Sequence, residues 1–374
     1  MNSRIFLSSP HMSTEGYELE YIHDAFQKNW IAPLGENVTA FENAMADYLG
    51  GTCPVALSSG TAALHLSMIL SGVKAGDLVF CQSMTFAASA NPIAYLGATP
   101  VFIDSERETW NMDPVALERA IEIHGIPKAV VMVHLYGTPA RMNEIVSICA
   151  KYGITLIEDA AEALGSTYDN RHCGSLGEYG VLSFNGNKII TTSGGGMLLC
   201  PDEQKAAMAL KLATQAREPF PWYQHEMIGY NYRLSNICAG IGRGQMKVLS
   251  QRVARKREIF HRYQENLKDL PVQFQQELEG SVANRWLTAI VLDENCGIAP
   301  GEIIAALGEA NIESRHLWKP LHSQPVFANS PYVTAGEISV CDDFFARGLC
   351  LPGDTKMTDA DIDHVCTVIR KVFE

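Results

Sequence analysis

Seven short apolar runs, bounded by turn residues and mostly separated by amphipathic stretches, constrain this chain more than any other feature of its sequence. They are Pro54 to Leu57, Leu78 to Gln82, Pro100 to Asp104, Ala129 to His134, Ile154 to Glu158, Gly180 to Phe184 and Gly196 to Cys200. Helical patterns lie between most of them, as at Ala62 to Leu70, Asp113 to Ile123 and Met142 to Lys151. Strands that are apolar on both faces and joined by helices predict an α/β fold, with a mainly parallel sheet flanked by helices. Ligands of such sheets gather beyond the carboxyl ends of the strands, so the residues just after each run are the candidates for chemistry. The last two runs are about a dozen residues apart. That is too short for a helical crossover and predicts a local antiparallel excursion.

A chain of 374 residues exceeds what one core usually holds. Two domains are expected: a large one over residues 1–249 and a smaller C-terminal α+β one over 250–374. A long helical pattern from Ile241 to Leu267 leads from one to the other. Its basic run, Arg252, Arg255, Lys256, Arg257 and Arg262, reads as a solvated helix face. A net charge of -13 argues against a nucleic-acid partner, because neutralising phosphates needs clustered lysine and arginine. The 10 cysteines are scattered without a CxxC pair, several in apolar runs. They are expected to be free in a reducing cytoplasm. No signal peptide, membrane span or metal site is expected.

Four strand ends carry residues that suit one cofactor. Lys188 lies in Ser183-Phe184-Asn185-Gly186-Asn187-Lys188, ahead of Gly194-Gly195-Gly196. A lysine at the mouth of a sheet can form a Schiff base with an aldehyde, and pyridoxal phosphate is the common aldehyde cofactor. Taken alone, Lys188 reads rather as a solvated turn lysine. After the first run, Ser58-Ser59-Gly60-Thr61 opens a helix whose N–H groups and dipole suit an anion, with the Thr61 hydroxyl beside them and Ser183 able to add another. An ordinary N-cap is the alternative. Asp159 closes the fifth run, where a carboxylate can pair with a protonated pyridine nitrogen and keep the ring an electron sink; a helix cap is the alternative. Phe86 follows the second run and can stack on the ring, or serve simply as core. The four together favour the cofactor site.

With these residues in place, the chain resembles the DegT-type family of pyridoxal-phosphate sugar aminotransferases, which have the fold type I architecture. The resemblance runs from Asn29-Trp30-Ile31-Ala32-Pro33-Leu34-Gly35 to Leu349-Cys350-Leu351-Pro352. Glu158-Asp159-Ala160-Ala161-Glu162 and Asn185-Gly186-Asn187-Lys188 make it most similar to enzymes that aminate C4 of a UDP-linked 4-keto-6-deoxy-N-acetylglucosamine, as in bacillosamine synthesis for glycan assembly. The resemblance implies that Lys188 is the Schiff-base lysine and proton shuttle. It implies phosphate contacts from Gly60, Thr61 and Ser183, stacking by Phe86 and pairing of Asp159 with the ring nitrogen. It also implies a homodimer with shared active sites, in which Asn231 reaches the partner's cofactor phosphate and Arg233 contacts an anionic group of a substrate. Glu162 stands where many relatives carry Gln or His, and it can meet the ring face, the phenolic oxygen or the sugar. Asn185 stands where many carry His and is a candidate sugar contact, as is His316 in a loop near the entrance.

The implied activity is two-stage transfer of an amino group from an amino acid, glutamate being the expected donor, to the nucleotide-linked keto-sugar. A GDP- or dTDP-linked 3- or 4-keto sugar is an alternative substrate. A family dehydratase would carry histidine in place of Lys188. A non-catalytic cofactor-holding module would not need Lys188, Asp159 and the phosphate turn together. A nucleotide-dependent oxidoreductase is disfavoured because the first strand-helix turn lacks GxGxxG.

Overall fold

The apolar runs form the strands of one eight-stranded sheet in the computed structural model, which describes residues 4–374. In chain order the strands are β1 (Cys53–Leu57), β2 (Leu78–Gln82), β3 (Thr99–Ile103), β4 (Ala129–Val133), β5 (Thr155–Asp159), β6 (Thr167–Tyr168), β7 (Arg171–His172), β8 (Tyr179–Ser183), β9 (Gly196–Cys200), β10 (Val272–Phe274), β11 (Ser281–Val282), β12 (Thr288–Leu292), β13 (Arg315–His316), β14 (Tyr332–Val333) and β15 (Gly348–Leu351). The helices are α1 (Tyr17–Gln27), α2 (Glu36–Leu49), α3 (Gly60–Leu70), α4 (Asn91–Tyr95), α5 (Pro114–His124), α6 (Met142–Tyr152), α7 (Glu203–Ala213), α8 (Asn236–Met246), α9 (Leu249–Leu267), α10 (Pro300–Glu309), α11 (Val340–Arg347) and α12 (Asp359–Val372).

The large sheet has the order β1-β9-β8-β5-β4-β2-β3-β14. Pairing is parallel from β8 through β5, β4, β2 and β3 to β14, whereas β9 runs antiparallel to both β8 and β1. The expected excursion between the last two runs is therefore present. Alternation along each strand fills two cores. Val79 and Cys81 of β2 pack on the face covered by α3 and α7, while Phe80 joins the face covered by α5 and α6. Burial on both faces explains why these strands read as continuous apolar runs rather than alternating ones.

A second, antiparallel sheet, β10-β12-β15-β13, packs against α9, α10 and α12. Ile5 joins this smaller core through a bridge to Ile312, and β14 returns from the C-terminal part to the edge of the large sheet beside β3. The cysteines are free. No described helix is long and apolar enough to cross a membrane, and no group of described residues could hold a metal ion.

Two expectations need correction. The pattern from Ile241 to Leu267 is two helices: the Lys247 and Val248 N–H groups bond to Gly244 and Gln245 three residues back, and this tighter turn ends α8 before α9 begins. The basic run on α9 is also no solvated face. Lys256 is buried, donating to the Trp286 carbonyl at 2.8 Å and to Ser8 Oγ at 3.2 Å. Arg252 holds the His11 and Met12 carbonyls, Arg255 that of Met357, and Arg257 both Glu277 and the Ala283 carbonyl. Long basic side chains here satisfy backbone carbonyls that the helix period cannot reveal.

Candidate active site

Lys188 sits on the β8–β9 excursion, which closes on itself through Phe184 N to Gly195 O (2.9 Å) and Thr192 N to Phe184 O (3.0 Å). The carbonyl of Asn187, just before the lysine, accepts from both Trp286 Nε1 (2.7 Å) and Ser8 Oγ (2.8 Å). With the backbone so pinned, Lys188 Nζ lies 4.1 Å from the Trp286 ring centroid and 3.1 Å from Glu162 Oε1. The aromatic face and the carboxylate both favour a cation at Nζ.

Glu162 is buried in the turn that follows β5, and its other oxygen accepts the Tyr136 N–H at 2.8 Å. Burial pushes its carboxyl up to about 7 against the pull of Lys188. Tyr136 holds a left-handed backbone, φ 55°, which costs a non-glycine residue strain that this hydrogen bond helps to offset. At the end of β5, Asp159 accepts from Ser89 Oγ at 2.6 Å and the Ala161 N–H at 3.2 Å. Burial raises its carboxyl too, partly countered by those two donors.

Across the cleft, Ser59 caps α3 by accepting from the Ala62 N–H at 3.0 Å. Gly60 and Thr61 then open the helix into the cleft, with Ser183 alongside. The turn is tight: a Cβ on Gly60 would meet Ser183 Cβ at 3.2 Å, and one on Gly196 would meet the Gly60 nitrogen at 2.3 Å. The whole cleft measures about 550 Å³ and is lined by Gly60, Thr61, Phe86, Asp159, Glu162, Ser183, Asn185 and Lys188, among others. Phe86 is 63% exposed, its ring open to the cleft and 5.8 Å from that of Trp318.

These residues fit pyridoxal phosphate. Asp159 is a buried carboxylate that accepts from two neutral donors and makes no ion pair among the described residues, so a ring N–H cation would give it a direct charged partner. The first turn of α3, with the hydroxyls of Thr61 and Ser183, suits a phosphate dianion. Lys188 lines the same cleft.

Three sequence candidates fall outside this cleft. Arg233 does not reach it: its guanidinium is locked in a bidentate pair with Glu42, Nη2 to Oε2 at 3.0 Å, and also donates to the Ala56 carbonyl at 3.0 Å. Within this chain it is an internal tie between α2 and β1. His316 also lies off the cleft. Alternation along β13 turns it toward Phe345, and its neighbour Arg315 lines the cleft instead. Asn231 is exposed beside Thr214 and takes no part in this chain's own cleft.

Sequence reasoning missed Trp286, Tyr136, Ser89 and Trp318, which come from elements far apart in the chain. Trp318 donates its backbone N–H to Tyr136 Oη at 3.1 Å and packs on that ring. A lone Trp or Ser carries no local signal of such contacts. Leu7 and Ser8 enter the cleft from the N-terminal segment, equally without a motif.

The sequence matches the DegT/DnrJ/EryC1/StrS aminotransferase family over residues 13–370. It is 52% identical to Bacillus subtilis (strain 168) EpsN, a protein assigned as a pyridoxal phosphate-dependent aminotransferase, over 100% of this chain and 97% of the relative. It is 34% identical to the GDP-perosamine synthase of Caulobacter vibrioides, over 99% and 98% of the two chains. Among solved structures, an aminotransferase TlmJ from Streptoalloteichus hindustanus superposes with a TM-score of 0.89 at 29% identity, covering 98% of each chain. DesI, solved in the presence of its TDP-sugar product, superposes at 0.90 with 27% identity, over 100% of this chain and 94% of DesI. The parallel sheet with its flanking helices is therefore the fold type I architecture of these enzymes. This chain belongs to the DegT/DnrJ/EryC1/StrS family and is a pyridoxal-phosphate-dependent aminotransferase.

Proposed function

We propose that this enzyme moves an amino group from an amino acid, with glutamate as donor, to the C4 ketone of a UDP-linked 4-keto-6-deoxy-N-acetylhexosamine, for amino-sugar and glycan biosynthesis of the bacillosamine type. The observation that carries the reading is Lys188 Nζ, held between the Trp286 face and the Glu162 carboxylate in a cleft that also presents Asp159. The cleft volume of about 550 Å³ falls in the range of small-molecule sites.

Bound pyridoxal phosphate supplies the carbonyl that accepts the amine and the ring that takes up the electron pair released with the substrate's α-proton. Gly60, Thr61 and Ser183 hold the phosphate, and Phe86 bears on a ring face. Asp159, ionised beside a cationic ring nitrogen, keeps a proton on that atom. Lys188 Nζ, once free, takes a proton from the donor's α-carbon and later returns one to the sugar's C4. Glu162, its carboxyl pushed up to about 7, holds or releases a proton at Oε1, 3.1 Å from Nζ. Asn185, exposed on the cleft wall, is the residue we assign to hydrogen-bonding the sugar.

In this reading the enzyme is a cytoplasmic homodimer, Asn231 serves the partner's cofactor phosphate, and the domains divide at 249/250. A second reading, a GDP- or dTDP-linked keto-sugar as acceptor, is favoured by the GDP-perosamine synthase and TDP-sugar relatives. Mass spectrometry of products from UDP-, GDP- and dTDP-linked keto-sugars separates them. A 4-amino UDP-sugar supports the first, and amination of the GDP or dTDP substrates alone overturns it.

A further inference from the structure

Two basic side chains of this chain line the cleft, Lys188 and Arg315. They occupy different depths. The Lys188 side chain is 12% exposed and the Arg315 side chain 71%, so the arginine stands at the mouth. It extends from β13, whose pairing with β15 (Arg315 opposite Cys350) fixes which side of the strand faces the cleft. Its guanidinium is steadied by one bond, Nη2 to Glu313 Oε1 at 2.9 Å. Glu313 is itself anchored, its second oxygen accepting the Leu7 N–H at 3.0 Å. Glu313 is the one hydrogen-bonding partner of Arg315 among the described residues, which leaves four of the five guanidinium N–H donors for a ligand.

An anionic substrate bound by a protein of net charge -13 needs a local cation, and the position of this one selects among the possible anions. The α-carboxylate of an amino-acid donor is bonded directly to the reacting carbon, so it must lie deep, beside Lys188. The diphosphate of a nucleotide sugar hangs from C1, across the hexose ring from the C4 ketone. With C4 at Lys188, the diphosphate points outward to the mouth. We infer that Arg315, oriented by Glu313, is the diphosphate-binding residue of the acceptor subsite. This rests on the nucleotide-sugar reading above. The fork of a guanidinium suits two phosphate oxygens, and a planar bidentate contact gives the sugar a fixed axis relative to Lys188.

The test uses the holoenzyme and calorimetric titration with UDP and with uridine, repeated with GDP and dTDP. In the wild type, UDP binds more tightly than uridine. In Arg315→Gln, UDP affinity falls by about tenfold to a hundredfold while uridine affinity is unchanged, and Arg315→Lys recovers part of the loss. In turnover, the KM for the nucleotide sugar rises with little change in kcat, and single-turnover conversion by the amino donor keeps its KM. Unchanged UDP binding in Arg315→Gln overturns the assignment to Arg315 alone. A raised KM for the amino donor, with UDP binding intact, overturns it in favour of the carboxylate. A wild-type holoenzyme that binds none of the three diphosphates overturns the nucleotide-sugar reading itself.

Discussion

Lys188 Nζ and Glu162 Oε1 stand 3.1 Å apart, with both side chains largely withdrawn from water. Because burial pushes the Glu162 carboxyl up to about 7, the fold favours its neutral form. The stability that this provides is complete below the ordinary value near 4.5 and is lost as pH rises through about 7. In Glu162→Gln apoprotein that slope disappears, flattening a loss of up to about 3 kcal/mol seen in the wild type between roughly pH 5 and 8. Urea unfolding at several pH values checks this, and the same variant removes the limb near neutrality from the pH profile of turnover.

Asp159 should be required for the loaded enzyme and dispensable for the fold. Asp159→Asn relieves a buried charge in the apoprotein, so its stability stays level or rises. With cofactor bound, the ring nitrogen loses its counter-charge, and turnover falls by a factor corresponding to about 3–5 kcal/mol. Comparing apoprotein melting with the rate of the donor half-reaction separates the two effects.

Gly196 and Gly60 meet at the phosphate turn with no room for a side chain on Gly196, whose added Cβ would fall 2.3 Å from both the Gly60 nitrogen and the Ser59 carbonyl carbon. These are backbone atoms and cannot step aside. Gly196→Ala is expected to cost about 1–3 kcal/mol and to weaken cofactor binding. Gly60→Ala, whose nearest neighbour would be Ser183 Cβ at 3.2 Å, should be milder on both counts. Thermal melts and cofactor titration rank the two.

Lys256 is buried against the Trp286 carbonyl, and burial lowers its ammonium to about 7. The sign is opposite to that of Glu162. The neutral amine is the form the fold favours, and its contribution, present above 10.5, is lost as pH falls through about 7. Lys256→Met should therefore be neutral or stabilising near pH 6, where the wild type must bury a charge. Near pH 9 it should cost about 1–3 kcal/mol, because the Trp286 carbonyl is left without its donor. Denaturant unfolding at the two pH values checks the change of sign.

Arg233 is predicted to matter for stability rather than for substrate. Removing it in Arg233→Ala takes the charged partner from Glu42 and one of two donors from the Ala56 carbonyl, at a cost of about 2 kcal/mol. The KM for either substrate stays within about twofold of the wild type once the protein is folded. A large rise in KM with unaltered melting would contradict this.

The strand ends and what they carry are legible in the chain without its fold. The apolar runs, the Ser59-Gly60-Thr61 turn, Asp159 closing β5 and Lys188 between β8 and β9 are local patterns, and a parallel sheet must bring its strand ends to one edge. The tertiary structure decided what surrounds them. Trp286 reaches Lys188 from the N-terminal end of β12, Ser89 reaches Asp159 from a short turn after β2, and Glu313 and Arg315 come from the second sheet. Lys256, which reads locally as surface charge, and Arg233 turn inward because buried carbonyls and Glu42 accept from them there. Periodicity records which face of an element is apolar. It holds no record of which distant backbone carbonyl or carboxylate a long polar side chain will satisfy, because that depends on how the elements pack.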